Sequence, residues 1–118
     1  MKQSIFLSAA LAVFATTAIA DSAVVTQVEA RKSGSSWSFA VTLKHGDTGW
    51  EHYADGWGVY LEDGTELGYR VLHHPHVNEQ PFTRSLSGVK IPAGTKTVWI
   101  IPKDNVHGQG ASFSVELK

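Results

Sequence analysis

Apolar and polar residues alternate in short runs from Asp21 to the end of the chain, and no segment sustains a helical period. The clearest run is Ser36 to Lys44. Trp37, Phe39, Val41 and Leu43 share one face, and Ser36, Ser38, Ala40, Thr42 and Lys44 share the other. This pattern predicts a strand with one side on a core and its back to water. An earlier run, Ala23 to Arg31, places Val24, Thr26, Val28 and Ala30 on one face, and Ser33-Gly34-Ser35 follows as a polar turn. A third strand is predicted from Trp57 to Glu62, with Trp57, Val59 and Leu61 inward. Glu62-Asp63-Gly64-Thr65 reads as a tight turn, because Asp-Gly tolerates the positive φ that hairpins need. The return strand is Glu66 to His73, with Leu67, Tyr69 and Val71 on one side. Phe82 to Val89, Thr97 to Pro102 and Ala111 to Leu117 complete the set. The Thr97 run is nearly all apolar, which predicts a central strand covered on both faces.

Seven short strands between regular turns predict an all-β fold. The expected architecture is a single antiparallel β-sandwich of immunoglobulin-like or fibronectin-like kind, with a small barrel as the alternative. Three stretches break the alternation. His45 to Gly56 is long for a hairpin connection, and long structured loops are often functional. His74 to Pro81 contains two prolines, which extend the backbone at His74 and Gln80 and cannot donate to a central ladder. Asp104 to Gly110 forms the third loop.

The beginning of the chain reads differently. Lys2, the apolar stretch Ile5 to Ala15 and the small-x-small sequence Ala18-Ile19-Ala20 have the form of a cleaved export signal. The expected organisation is therefore a signal peptide over 1–20 and one domain over 21–118, in a periplasmic or secreted setting. The apolar stretch is short for a membrane span, and no stop-transfer segment follows, so no span is expected in the mature chain. Once Lys2 is lost the net charge is about −2, which disfavours nucleic acid and anionic membranes as partners. There is no Cys, so disulfides and thiol chemistry are excluded.

Six histidines, His45, His52, His73, His74, His76 and His107, all sit in or beside the three irregular stretches. Neutral imidazole ligates Zn(II) and Cu(II), so a divalent metal is the leading candidate ligand. Asp47, Glu51, Asp55, Glu79 and Asp104 occur in the same stretches and could complete a coordination shell or orient a ring. The favoured ligands are His52, His73, His74, His76, His107 and Glu79. In extended backbone His74 and His76 share a face while His73 points away. The absence of sulfur ligands disfavours Cu(I) and Cys-type zinc sites. The competing reading is that these residues hold their loops in shape through backbone hydrogen bonds.

The loop aromatics offer a second kind of site. Trp50 and Tyr53 could stack on a sugar or anchor a partner protein, whereas Trp57 fits a core position. Trp50 is the better candidate for exposure, since Gly49 and Glu51 flank it. Catalysis finds less support. The chain has no Gly-x-Ser-x-Gly elbow and no His-Glu-x-x-His, and His107-Gly108-Gln109-Gly110 lacks the Lys and helix of a phosphate loop. A non-enzymatic binding module is expected.

The segment His74 to Ser85, together with Gly49 to Trp57, resembles an uncharacterised group of small exported bacterial proteins. The resemblance spans most of the chain after the signal. It implies an exported setting and is compatible with a sandwich. It carries no activity, ligand or catalytic residue.

Overall fold

The computed structural model describes residues 22–118, so the export signal read over 1–20 lies outside the described residues. Those residues contain eight strands and no helix. In chain order they are β1 (Val24–Ser33), β2 (Ser36–Lys44), β3 (Ala54–Tyr60), β4 (Glu66–Val71), β5 (Phe82–Val89), β6 (Thr97–Asp104), β7 (Gly108–Gln109) and β8 (Phe113–Glu116). They form two antiparallel sheets. One has the order β1-β2-β5; the other has the order β4-β3-β6-β7, with β8 also paired to β6. The expected C-terminal strand is thus the shorter β8, and β7 is a two-residue strand within the stretch expected as the third loop; both lie along one edge of β6. β7 pairs with Lys103 and Asp104, and β8 with Thr97 to Ile100.

The alternation read from the sequence holds where burial enforces it. Phe39, Val41 and Leu43 of β2 are fully buried, as are Trp57 and Val59 of β3 and Val98 and Ile100 of β6. These side chains meet Val25, Phe82, Val89 and Val115 in one core shared by both sheets. The turn after β3 also forms as expected, with Leu61 N–H bonded to Thr65 O at 2.9 Å and Gly64 at φ 92°.

Two expectations need correction. β1 does not bury Val24 and Thr26, because its pairing with β2 shifts between Val25 and Gln27. One extra residue at that bulge reverses the facing of the strand. Ala23 and Val25 therefore point inward before it, and Val28 and Ala30 pack against the core after it. β6 is central, lying between β3 and the β7–β8 edge, but only one of its faces is fully buried. Trp99, Ile101 and Lys103 are half-buried on the other.

The registers place the functional loops. Leu43 pairs with Phe82, Ala54 with Asp104, and Gly56 with Val71. The end of β2, the starts of β3 and β5, and the ends of β4 and β6 therefore lie at one end of the molecule. All six histidines occupy the segments that join these strand ends. Phe39 sits at the centre of the supporting core at 0% exposure. Phe39→Ala should lower the unfolding free energy by about 3–5 kcal/mol, measured by denaturant titration, because a cavity forms in packing shared by both sheets.

Candidate metal centre

Continuing two strand patterns by one step locates the centre. In β2 the inward positions are Phe39, Val41 and Leu43, and the next in phase is His45, which is buried. In β6 the inward positions are Val98, Ile100 and Pro102, and the next is Asp104, at 1% exposure. The inward faces of two strands, one from each sheet, thus end in a histidine and a carboxylate. His52, two residues before β3, and His107, just before β7, come in from the loops.

One ligand atom from each of His45, His52 and Asp104 lies within 4.8 Å of the other two. His45 Nε2 is 3.8 Å from Asp104 Oδ2, and His52 Nε2 is 3.6 Å from Asp104 Oδ1. His107 Nδ1 lies 3.4 Å from the same Oδ1. The His52 ring stands edge-on to His45 at 4.7 Å and tilted to His107 at 5.0 Å. The separations from Asp104 to His45 and His52 are too long for hydrogen bonds. They match the roughly 3.3 Å between neighbouring ligands that bond one tetrahedral ion at about 2 Å. His52 Nε2 and Asp104 Oδ2 are buried and have no hydrogen-bond partner.

The surroundings orient these groups. Asp47, itself buried, takes His45 Nδ1 at 2.6 Å on Oδ1. A carboxylate only accepts, so Nδ1 carries the proton and the Nε2 lone pair is directed at the cluster. The same carboxylate accepts the Ala54 N–H at 3.0 Å and the His76 N–H at 2.8 Å. Asp104 Oδ1 accepts the N–H groups of Val106 at 2.8 Å and His107 at 2.6 Å. Burial by itself would raise the Asp104 carboxyl. The His107 and Val106 N–H groups and the His45 and His107 rings outweigh it and hold the group below the usual carboxylate range.

Asn105 ties the two loops together. Its Nδ2 donates to Trp50 O at 3.0 Å, its Oδ1 accepts from Tyr53 N at 2.9 Å, and its own N–H donates to Tyr53 O at 3.1 Å. These bonds bracket His52 and fix it beside Asp104.

The remaining expected ligands stand apart from this cluster. His73, His74 and Glu79 are exposed. His76 is buried but faces another way, with its ring stacked on Phe82 at 4.0 Å and its Nε2 2.9 Å from Arg84 Nη2. Arg84 only donates, so that nitrogen is occupied as an acceptor. Burial, Arg84 and His74 push His76 below the ordinary histidine value of 6.5. The spacing of the His73-His74-Pro75-His76 run thus gave too much weight to adjacency in sequence. His45 stands out in the sequence only as one of six loop histidines and Asp104 only as a carboxylate that could complete a shell; strand phase carried the signal that they form the centre. Of the loop aromatics, Trp50 is 65% exposed and Tyr53 half-buried, with the two rings edge-on at 5.5 Å.

Comparison with known proteins bears on fold and setting. No protein-family model matches the chain. A chain from Halomicrobium mukohataei described as "Putative lipoprotein" is 42% identical over 82 residues, which is 70% of this chain and 40% of that one. The chain thus spans about two-fifths of that relative's length. A crystal structure of a hypothetical protein from Pyrococcus horikoshii OT3 superposes with a TM-score of 0.57 at 15% identity, covering 83% of this chain and 90% of that one. This likeness shows a shared fold. Neither description states a ligand or an activity.

Two outcomes follow from these contacts. Asn105→Ala should cost about 1–2 kcal/mol in denaturant unfolding, since two side-chain bonds to loop backbone are lost. The unfolded chain binds a proton at His76 at a higher pH than the folded chain does. Stability from this residue is therefore present above the ordinary histidine value and lost as pH falls below it. His76→Gln should flatten the decline in unfolding free energy between about pH 7 and pH 5, whatever its effect on absolute stability.

Proposed function

We infer that the protein binds a single divalent transition-metal ion through His45, His52 and Asp104, with His107 as a neighbouring fourth donor. The observation that carries this reading is that two buried atoms of the cluster have no hydrogen-bond partner: His52 Nε2, 3.6 Å from Asp104 Oδ1, and Asp104 Oδ2, 3.8 Å from His45 Nε2. An orphaned buried carboxylate oxygen and an orphaned imidazole nitrogen are each costly, and one cation satisfies both. Imidazole nitrogen with carboxylate oxygen suits Zn(II) or Cu(II), and two imidazoles with one carboxylate is also a set that takes non-haem Fe(II). Asp47 supplies the outer carboxylate that orients a ligating histidine.

The role proposed is holding the ion rather than turning over a substrate, since no nucleophile elbow or metalloprotease spacing accompanies the site. The scaffold reading that goes with it is immunoglobulin-like, supported by the β1-β2-β5 and β4-β3-β6-β7 strand orders. The relative described as a lipoprotein supports an exported or membrane-anchored setting. A periplasmic or secreted location rests on reading residues 1–20 as a signal.

Calorimetric titration with Zn(II), Cu(II) and anaerobic Fe(II) tests the site. One equivalent of at least one ion should bind more tightly than about 1 μM. Asp104→Asn should abolish binding while leaving the metal-free protein folded, because the amide oxygen can still accept the Val106 and His107 N–H groups. Asp47→Asn should weaken binding by about 10–100-fold. His74→Ala/His76→Ala should leave the affinity within a few-fold. Loss of binding in that double variant, or none in Asp104→Asn, would refute the assignment.

A further inference from the structure

A second feature at the same end of the molecule shares no lining residue with the metal cluster. A cleft of about 510 Å³ separates Trp50 and Gly49 on one side from Pro75 to Glu79 on the other. Both walls are pinned. On the first, His52 N–H bonds Gly49 O at 3.2 Å and Thr48 N–H bonds His52 O at 3.0 Å, closing a tight turn with Trp50 at its tip. Asn105 holds the Trp50 carbonyl at 3.0 Å, and Thr48 Oγ1 holds Glu51 at 2.9 Å. On the second, Gln80 Nε2 donates to His76 O at 3.0 Å while its Oε1 accepts the His45 N–H at 3.0 Å. Asp47 takes the His76 N–H. The exposure of Trp50 therefore comes from turn geometry, and both loops are ordered before any ligand arrives, which lowers the entropy lost on binding.

The lining selects the ligand chemistry. The Trp50 ring, Pro75 and Val77 offer apolar surface, and Val77 is 52% exposed. Asn78 supplies a donor and an acceptor, and Glu79 supplies acceptors. No Lys or Arg lines the cleft, and the one histidine that does, His76, is pushed toward its neutral form by burial and by Arg84, so an anion gains little counter-charge there. Arg84 lies 3.4 Å from Glu79 and offsets its charge, so a cation gains little. A neutral ligand with a C–H face and hydroxyl edges fits this combination. We propose that the cleft between Trp50 and Pro75–Glu79 is a saccharide-binding site, with a pyranose ring stacked on the Trp50 indole and its hydroxyls on Asn78 and Glu79.

The test is a titration of the protein with cellotetraose, chitotetraose and maltotetraose, followed by ¹H–¹⁵N NMR, with a lysine-rich peptide as the comparison. At least one oligosaccharide should give saturable shifts at the Trp50 indole N–H and the Val77 and Asn78 amides. The shifts should be the same with chelator or with Zn(II), so a failed metal assignment leaves them standing. Trp50→Ala should weaken binding at least about tenfold with the rest of the spectrum unchanged, as expected for an aromatic anchor. Should that variant perturb the turn, Asn78→Ala/Glu79→Gln should produce the same loss from the opposite wall. No response to any of the three sugars up to about 10 mM, a weak-binding limit near the bottom of measurable affinity, would overturn the proposal. So would shifts that both variants leave in place, or saturation by the peptide alone.

Discussion

The buried carboxylate of Asp47 is the contact on which this end of the molecule depends. It accepts the His45 ring, the Ala54 amide and the His76 amide, and so joins the exit of β2, the entry of β3 and the β4–β5 connection. Two loops without regular hydrogen-bond ladders meet there. Each has backbone groups that would otherwise be buried without partners. A short acid serves because one carboxylate presents several lone-pair sites in a small volume and can take donors from three directions. Asn105 and Gln80 repeat the device on a smaller scale, each bridging two segments through both ends of an amide.

This framework explains why the metal cluster lies where it does. β2 and β6 belong to different sheets, and their inward faces converge on the shared core. Where the core ends, the next inward positions are still shielded from water by the loops that Asp47 and Asn105 hold down. A histidine and a carboxylate there are desolvated yet adjacent. Desolvation disfavours the charged Asp104, and the N–H groups of Val106 and His107, with the neighbouring histidine rings, outweigh it, but both N–H groups bond the same oxygen. The other oxygen faces the His45 imidazole at a distance beyond hydrogen bonding and has no partner. A cluster of this kind is poorly satisfied by protein groups and well suited to a small cation.

Legibility in the sequence varied with the source of the constraint. The β2 alternation, the Asp63-Gly64 turn and the extent of β5 were readable because each is local: a two-residue period, a positive φ, a run bounded by turn residues. The β1 facing was misread because a bulge at Thr26 is set by pairing with Thr42 and Leu43, which lie far along the chain. The importance of the histidines was readable from their concentration in loops. Their grouping was not. His74 and His76 are neighbours in sequence and in space, with rings 5.0 Å apart, yet Arg84 and Phe82 engage the His76 ring. His45, His52 and Asp104 are scattered in sequence and meet only through strand register.

By itself, then, the sequence determined an all-β chain with three irregular, histidine-bearing segments, and it excluded thiol chemistry. These properties follow from period, composition and turn chemistry, which act over a few residues. The tertiary structure decided that all three segments share one end and that β2 and β6 continue in phase to His45 and Asp104. It also decided that Trp50 stands exposed on a pinned turn while His76 turns away to Phe82. Those outcomes depend on the pairing of Ala54 with Asp104 and of Leu43 with Phe82. Such long-range register is selected by core packing across two sheets, and no local window of sequence contains it.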